Sequence, residues 1–396
     1  MTIGGSTAAA ELAAMTPWTH RASPIADVER IARLDRARLL TEAMGADAVL
    51  IGAGASLRYF TGVPWGASER LVALLLPVAG EPVLICPAFE LGTLAADCRI
   101  HADIRAWQED ESPYALVADA IGGGGRTLAV DPALAFQMTE RLRAAAPGVA
   151  RIDASPVVDG CRMLKSPAEI ALLQQAKDMT LEVQRRTAGI LEPGIAASDV
   201  VRFIDAAHRA LGAAGSSFCI VQFGRATAFP HGLPGEQHLR DGDLVLVDTG
   251  CLVEGYHSDI TRTYAFGTVG QHERDIWALE KAAQAAAFAA AEPGAACEDV
   301  DVAARAVLVA AGLGPGYRTP GLPHRTGHGI GLSIHEPAYL VRGDTTRLAP
   351  GMCFSNEPMI VVPDRFGVRL EDHFYVTADG PRWFTQPAHA IDRPFG

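Results

Sequence analysis

The sequence predicts an α+β chain of two domains. A smaller α/β domain covers residues 1–160, and a domain of two pseudo-symmetric halves covers 161–396. Three observations carry that expectation. At 396 residues the chain is too long for one ordinary domain, and its 49% hydrophobic content supplies a sizeable core. EPGIAASDVVRFIDAAHRALG at 192–212 recurs as EPGAACEDVDVAARAVLVAAG at 292–312, with nine of 21 positions identical at an offset of 100. Finally, two apolar, β-branched segments, 243–266 and 353–376, each read as a hairpin with carboxylates inside the apolar runs.

The elements follow in order. Residues 24–46 have helical periodicity, with Ile25, Val28, Ile31, Leu34, Leu39 and Leu40 as the apolar stripe. Ala48–Ile51 reads as a buried strand, and Leu71–Leu76 and Pro82–Cys86 as paired strands around Ala79-Gly80-Glu81. Gly122–Gly125 is a turn before the strand Thr127–Val130; no Lys-Ser/Thr follows it and it opens no helix, so it is not a phosphate loop. The second domain starts on a helix. Ser166 caps it, Pro167 suits its first turn, Glu169 completes a capping box, and Pro193-Gly194 ends the segment. Each copy of the repeat then gives a helix pair followed by β-rich sequence.

Composition narrows the function. A net charge of −12 argues against nucleic acid and anionic membranes as partners. No run of about 18 apolar residues predicts a membrane helix. Glu11 interrupts the Ala-rich run near the N-terminus before a signal-peptide core forms. The cysteines (Cys86, Cys98, Cys161, Cys219, Cys251, Cys297, Cys353) are odd in number and form no CxxC, which reads as reduced thiols in a cytoplasmic protein.

The hairpins carry the chemistry. In DLVLVDTGCLVEGYHSDITRTYAF, a turn centred between Val253 and Glu254 places Asp248 opposite Asp259. In CFSNEPMIVVPDRFGVRLEDHFYV, a turn from Pro363 to Gly367, centred on Asp364, places Glu357 opposite Glu371. Like charges directly opposed across strands are destabilising, and four buried carboxylates repel one another unless cations neutralise them. With His328 in PHRTGHGIGLSIHEP, the oxygen-rich set suits two divalent ions such as Mn, Co, Fe or Zn, and with them hydrolysis. Arg369 shares a strand face with Glu371 and is placed to orient it; Thr261 holds the equivalent place beside Asp259. His231, His324 and His335 sit in glycine- and proline-rich loops that suit active-site display. His257 shares a strand face with Asp259 and, like the remaining histidines, is given no role.

The motifs VDTG-x7-SDITRT, PHRTGHGIGLSIHEP, SNEPMI and GVRLED resemble those of the pita-bread metallopeptidases, nearest to Xaa-Pro dipeptidases (prolidases) and aminopeptidase P. The strong likeness covers about 160–385; RYFTGVPWGASERLVALLLP more loosely resembles their creatinase-type N-terminal domain. The resemblance implies a pita-bread catalytic domain that hydrolyses Xaa-Pro peptide bonds with a hydroxide bridging two metal ions. It implies Asp248, Asp259, His328, Glu357 and Glu371 as ligands, with Glu357 also the general base. His231 and His335 would contact the scissile carbonyl, His324 would line the substrate site, and Arg369 matches a supporting arginine. Short proline-containing peptides as substrates and a homodimer also follow from it. One departure stands out: Val361 occupies the place where relatives commonly carry a tyrosine. A dipeptidase further needs a cation for the substrate carboxylate, for which Arg342 and Arg347 are the candidates. The alternatives are an Xaa-Pro aminopeptidase acting on longer peptides, a non-peptidase enzyme on the same fold, and a metal-free binding protein.

Overall fold

The computed structural model describes residues 3–395, so residues 1–2 and 396 of the two expected domain ranges lie outside the described residues. The chain divides into two units, Ile25–Arg162 and the segments flanking it, up to Pro24 and from Met163. The first segment therefore groups with the C-terminal unit rather than with the α/β domain. The reason is local. The amides of Gly4 and Ser6 donate to the carbonyls of Ala188 and Gly189, and that of Trp18 to Leu211. Glu11 pairs with Arg186 at 2.9 Å, and Leu12, Met15 and Trp18 pack on the buried cluster beneath.

The unit 25–162 is a six-stranded mixed sheet in the order Asp103–Trp107, Val83–Pro87, Ala73–Pro77, Ala48–Gly52, Thr127–Val130, Ala150–Asp153. All five residues of Ala48–Gly52 are buried, as suits a central strand. The helix Asp27–Ala43 corrects the expected stripe. Its buried face is Arg33, Leu34, Ala37 and Thr41, while Val28, Ile31 and Leu39 are 74%, 54% and 67% exposed. Small side chains, Ala37 and Thr41, fill the inner face, so the larger aliphatic residues fall outside it.

In the other unit the sequence repeat becomes a structural one. Helices Pro167–Gly189 and Ala197–Ala210 form one pair, Gln271–Ala290 and Cys297–Ala310 the other; the second members start and stop 100 residues apart. The capping box at Ser166 is formed, with Glu169 N donating to Ser166 Oγ and Ser166 N to Glu169 Oε2. Each long helix braces one hairpin through a glutamine at the same offset. Gln184 Nε2 donates to the carbonyls of Val247 and Ile260, both at 2.9 Å. Gln284 Nε2 donates to the carbonyls of Leu370 at 3.1 Å and Asn356 at 3.4 Å. Both glutamines are buried, so each bond also satisfies groups that water cannot reach.

Strand Leu244–Val253 runs between Ser216–Phe223 and Ile260–Ala265. Its pairing with Ile260–Ala265 sums to 509, with Asp248 opposite Thr261, rather than the expected 507. Glu254 and Gly255 both take positive φ, 49° and 85°, and form the two-residue turn. The turn sits one residue later than its expected centre. The resulting shift of two keeps every side chain on its face, so Asp259 lies diagonal to Asp248 rather than opposite. The second hairpin keeps the expected register. Met359 pairs with Arg369 and Asn356 with Asp372, flanking Glu357 and Glu371, and the turn residue Asp364 has φ 60°.

Candidate metal centre

Asp248 comes from the inner strand of the first hairpin, and Asp259 from the break between Tyr256–His257 and Ile260–Ala265. At that break the Ser258 hydroxyl accepts the Cys251 amide at 2.8 Å, in place of a regular ladder bond. His328 lies on Gly327–Gly329, which runs between Glu336–Leu340 and Cys353–Asn356. The glycines on either side are required. A Cβ on Gly327 would lie 2.1 Å from the Ser355 carbonyl oxygen, and one on Gly329 2.5 Å from that of Glu336. Only glycine lets three backbones close on the histidine this tightly.

These residues converge. The ligand-type atoms of Asp248, Asp259 and Glu371 lie within 4.8 Å of one another, as do those of His328, Glu357 and Glu371. Asp259, His328 and His335 form a third such group. Asp248, Asp259, His328 and Glu371 are between 1% and 7% exposed, and Glu357 is half-buried. Burial, and then the neighbouring Glu357 and Asp248, push Glu371 well above the usual carboxylate range; burial, Glu371 and Asp248 do the same to Asp259. Ionising both acids without a counter-charge is therefore costly.

The donor set fits divalent cations. Asp248 Oδ1, Asp259 Oδ1, Glu371 Oε1 and His328 Nε2 are buried without a hydrogen-bond partner among the described residues. Native interiors rarely leave such atoms unpaired, and here four belong to one cluster. His328 Nδ1 lies 2.9 Å from the Gly329 carbonyl, which holds the proton there and leaves the Nε2 lone pair free. Nε2 approaches Glu357 Oε1 to 3.2 Å, but without hydrogen-bond geometry.

Neighbouring side chains aim the carboxylates. Arg369 Nη2 bonds Asp248 Oδ2 at 2.6 Å and its Nε reaches Thr261 Oγ1 at 3.2 Å, which in turn donates to Glu371 Oε2 at 2.8 Å. The direct partner of Arg369 is thus Asp248, and Glu371 is reached only through Thr261. Sequence reasoning missed a second arginine. Arg262 and Asp372 form an ion pair at 2.7 Å with both side chains 0% exposed, and Arg262 Nη1 also bonds the Glu371 carbonyl at 2.9 Å. This pair joins the two hairpins directly behind the acids. Its signal was the Arg of ITRT and the last Asp of RLED, in motifs of which only the ligands and the residues Thr261 and Arg369 carry a role in the sequence reading. His373, given no role earlier, is fully buried with its Nε2 3.7 Å from Glu371 Oε1.

Beside the acids opens a cavity of about 500 Å³ lined by Pro230, His231, Pro323, His324, Arg325, His335, Glu357 and Arg369. All three singled-out histidines are there: His231 and His335 are exposed to it, and His324 is half-buried. Burial lowers the His324 pKa, and its Nδ1 lies 2.7 Å from the Arg325 carbonyl. Arg342 and Arg347 are not in the lining; both are exposed, and Arg347 Nη1 bonds the Gly294 carbonyl. Val361 is also outside the lining, 8% exposed and paired with Gly367. The arrangement offers an anionic, largely desolvated ligand set beside a cavity bearing a carboxylate, three imidazoles and two guanidiniums, which suits hydrolysis of a small polar substrate.

Comparison with known proteins agrees with that chemistry. The model of metallopeptidase family M24 matches residues 171–378, and that of the creatinase/prolidase N-terminal domain matches 33–164. A probable dipeptidase PepE of Mycobacterium bovis is 39% identical over 352 residues, 88% of this chain and 92% of that protein. The Xaa-Pro dipeptidase of Lactobacillus helveticus is 33% identical over 359 residues, 89% of this chain and 96% of that protein. The crystal structure of dipeptidase PepE from Mycobacterium ulcerans superposes with a TM-score of 0.87 at 35% identity, covering 93% of this chain and 99% of that one.

Proposed function

This chain belongs to metallopeptidase family M24, with the pita-bread catalytic fold and a creatinase/prolidase-type N-terminal domain, and from that premise we propose that it is an Xaa-Pro dipeptidase. Two divalent ions, Mn, Co or Zn, would be held by Asp248, Asp259, His328, Glu357 and Glu371. The observation that carries this reading is the convergence of those five side chains with four partnerless ligand atoms among them. When bound, the ions supply Lewis acidity, lowering the pKa of a water and polarising a carbonyl.

The rest falls to the chain's own residues. Glu357, at the border of ligand set and cavity, takes the proton of the attacking water and passes it to the leaving imino nitrogen. His231 and His335 donate to the oxygen on which negative charge develops, and His324 lines the substrate's path. Arg369 and Thr261 hold Asp248 and Glu371 in place. A homodimer and a cytoplasmic location belong to the same proposal. The seven free cysteines support a reducing compartment, and no described helix is long and apolar enough to cross a membrane.

The test is a panel of Ala-Pro, Ala-Ala and Ala-Pro-Ala assayed with added Mn, Co or Zn. Preferential cleavage of Ala-Pro is expected. Preference for the tripeptide would replace the reading with an aminopeptidase, and no cleavage of either proline peptide would remove it.

A further inference from the structure

Gln222 is a polar residue in an apolar setting. It stands on strand Ser216–Phe223 opposite Leu246, on the same sheet face as Ile220, which lies opposite Asp248. Its side chain is fully buried, between Val221 and Phe223 in sequence. Nε2 donates to the Phe229 carbonyl at 2.6 Å, and Oε1 is buried with no partner among the described residues. An apolar side chain at this position would leave no orphaned oxygen. What the amide adds over such a residue is the bond to Phe229.

That carbonyl opens a turn. The Gly232 amide also donates to it, at 2.9 Å, which closes Phe229-Pro230-His231-Gly232. Proline at the second position fixes φ, and glycine at the fourth takes φ 87°. Gln222 abuts both ends of the turn, since a Cβ on Gly232 would lie 3.4 Å from its Nε2. The preceding segment is tied elsewhere: Thr227 Oγ1 donates to the Gly224 carbonyl at 2.7 Å and accepts the Gly367 amide at 2.9 Å. Gln222 thus joins the turn itself to the sheet that bears Asp248, and His231 stands at the tip, in the cavity lining.

Resting on the role read above for His231, we propose that Gln222 is a positioning residue that sets, through the Phe229 carbonyl, where the His231 imidazole stands relative to the metal-ligand cluster. Gln222 is not in the cavity lining and acts only through His231. A donor to developing negative charge works in the transition state, so its misplacement lowers kcat rather than raising KM.

The experiment is a double-mutant cycle on the metal-supplemented full-length enzyme, with kcat and KM measured on whichever of Ala-Pro and Ala-Pro-Ala the wild type cleaves faster. Gln222→Met keeps the bulk and removes the donor. It should lower kcat by about 3- to 10-fold, the worth of one hydrogen bond, and leave KM within about twofold. With His231→Ala in place, the same substitution should change kcat by less than about twofold, because the two residues act as one unit. Gln222→Glu donates to the carbonyl only while its carboxyl is protonated. Its kcat relative to the wild type should therefore fall from about pH 6 to about pH 8.5, and the fall should vanish in the His231→Ala background. Those two profiles decide the matter if Gln222→Met does not fold. Equal losses in both backgrounds mark a general structural role and overturn the proposal, as does a Gln222→Met enzyme as fast as the wild type. A His231→Ala single variant as fast as the wild type overturns the role of His231, and no cleavage of either peptide overturns the peptidase reading; Gln222 falls with each. Failure confined to the Gln222 variants leaves both readings standing.

Discussion

Replacing Asp372 by asparagine tests how the two halves are held together. The substitution keeps the shape and removes one charge from the Arg262–Asp372 pair, both members of which are 0% exposed at 2.7 Å. Arg262 keeps its bonds to the carbonyls of Thr261, Glu371 and Gln386, but its charge is left buried and uncompensated. Removing one partner of such a pair costs about 3–5 kcal/mol. Spread over a unit of this size, that is a fall in Tm of roughly 6–20 °C. The Glu371 carbonyl is bonded by the same guanidinium, so metal affinity should fall with stability. The assay is urea and thermal denaturation of wild type, Asp372→Asn and the Arg262→Met/Asp372→Leu double variant, each with and without Mn. The double variant should recover most of the loss, because it leaves no buried charge. A single variant within about 1 kcal/mol of wild type would refute the reasoning, since it would show that an unpaired charge at this position is tolerated.

Two further outcomes follow from the same geometry. Burial holds the His208 pKa at about 4, below the 6.5 of an exposed imidazole, so the unfolded chain protonates first. Its contribution is complete above pH 6.5 and is lost as pH falls toward about 4, on the order of 3 kcal/mol. His208→Gln should therefore show a shallower acid-side decline than wild type in urea titrations between pH 7.5 and 4.5, and parallel declines would count against it. Glu357→Gln should lower kcat on Ala-Pro by about 10²–10⁴-fold, the usual contribution of a general base; turnover within tenfold of wild type would strip Glu357 of that role.

The carboxylates could be read from sequence because each stands in an apolar, β-branched run whose turn residues fix the register. Pro363 and Asp364 stand in the second turn, between the paired Val362 and Phe366, and the register follows from its centre at Asp364. The first register was displaced because Glu254, a residue that seldom takes positive φ, occupies half of the turn. Parity survived, and with it the shared face of Asp248 and Asp259. The helix Asp27–Ala43 misled for a different reason: periodicity marks an apolar stripe, but Leu34, Ala37 and Thr41 face inward and Val28, Ile31 and Leu39 do not. The Arg262–Asp372 pair and the place of Arg325 depend on how separate segments meet in space. No local spacing encodes that, nor does it encode that Arg342 and Arg347 stand outside the cavity lining.

Metal content decides the account most directly. Protein loaded with Mn, dialysed and analysed by mass spectrometry of its metals should retain two ions per chain, lose them to a chelator together with Ala-Pro cleavage, and regain both on resupply. A chain that retains no ion, or whose cleavage of Ala-Pro survives complete chelation, would contradict it.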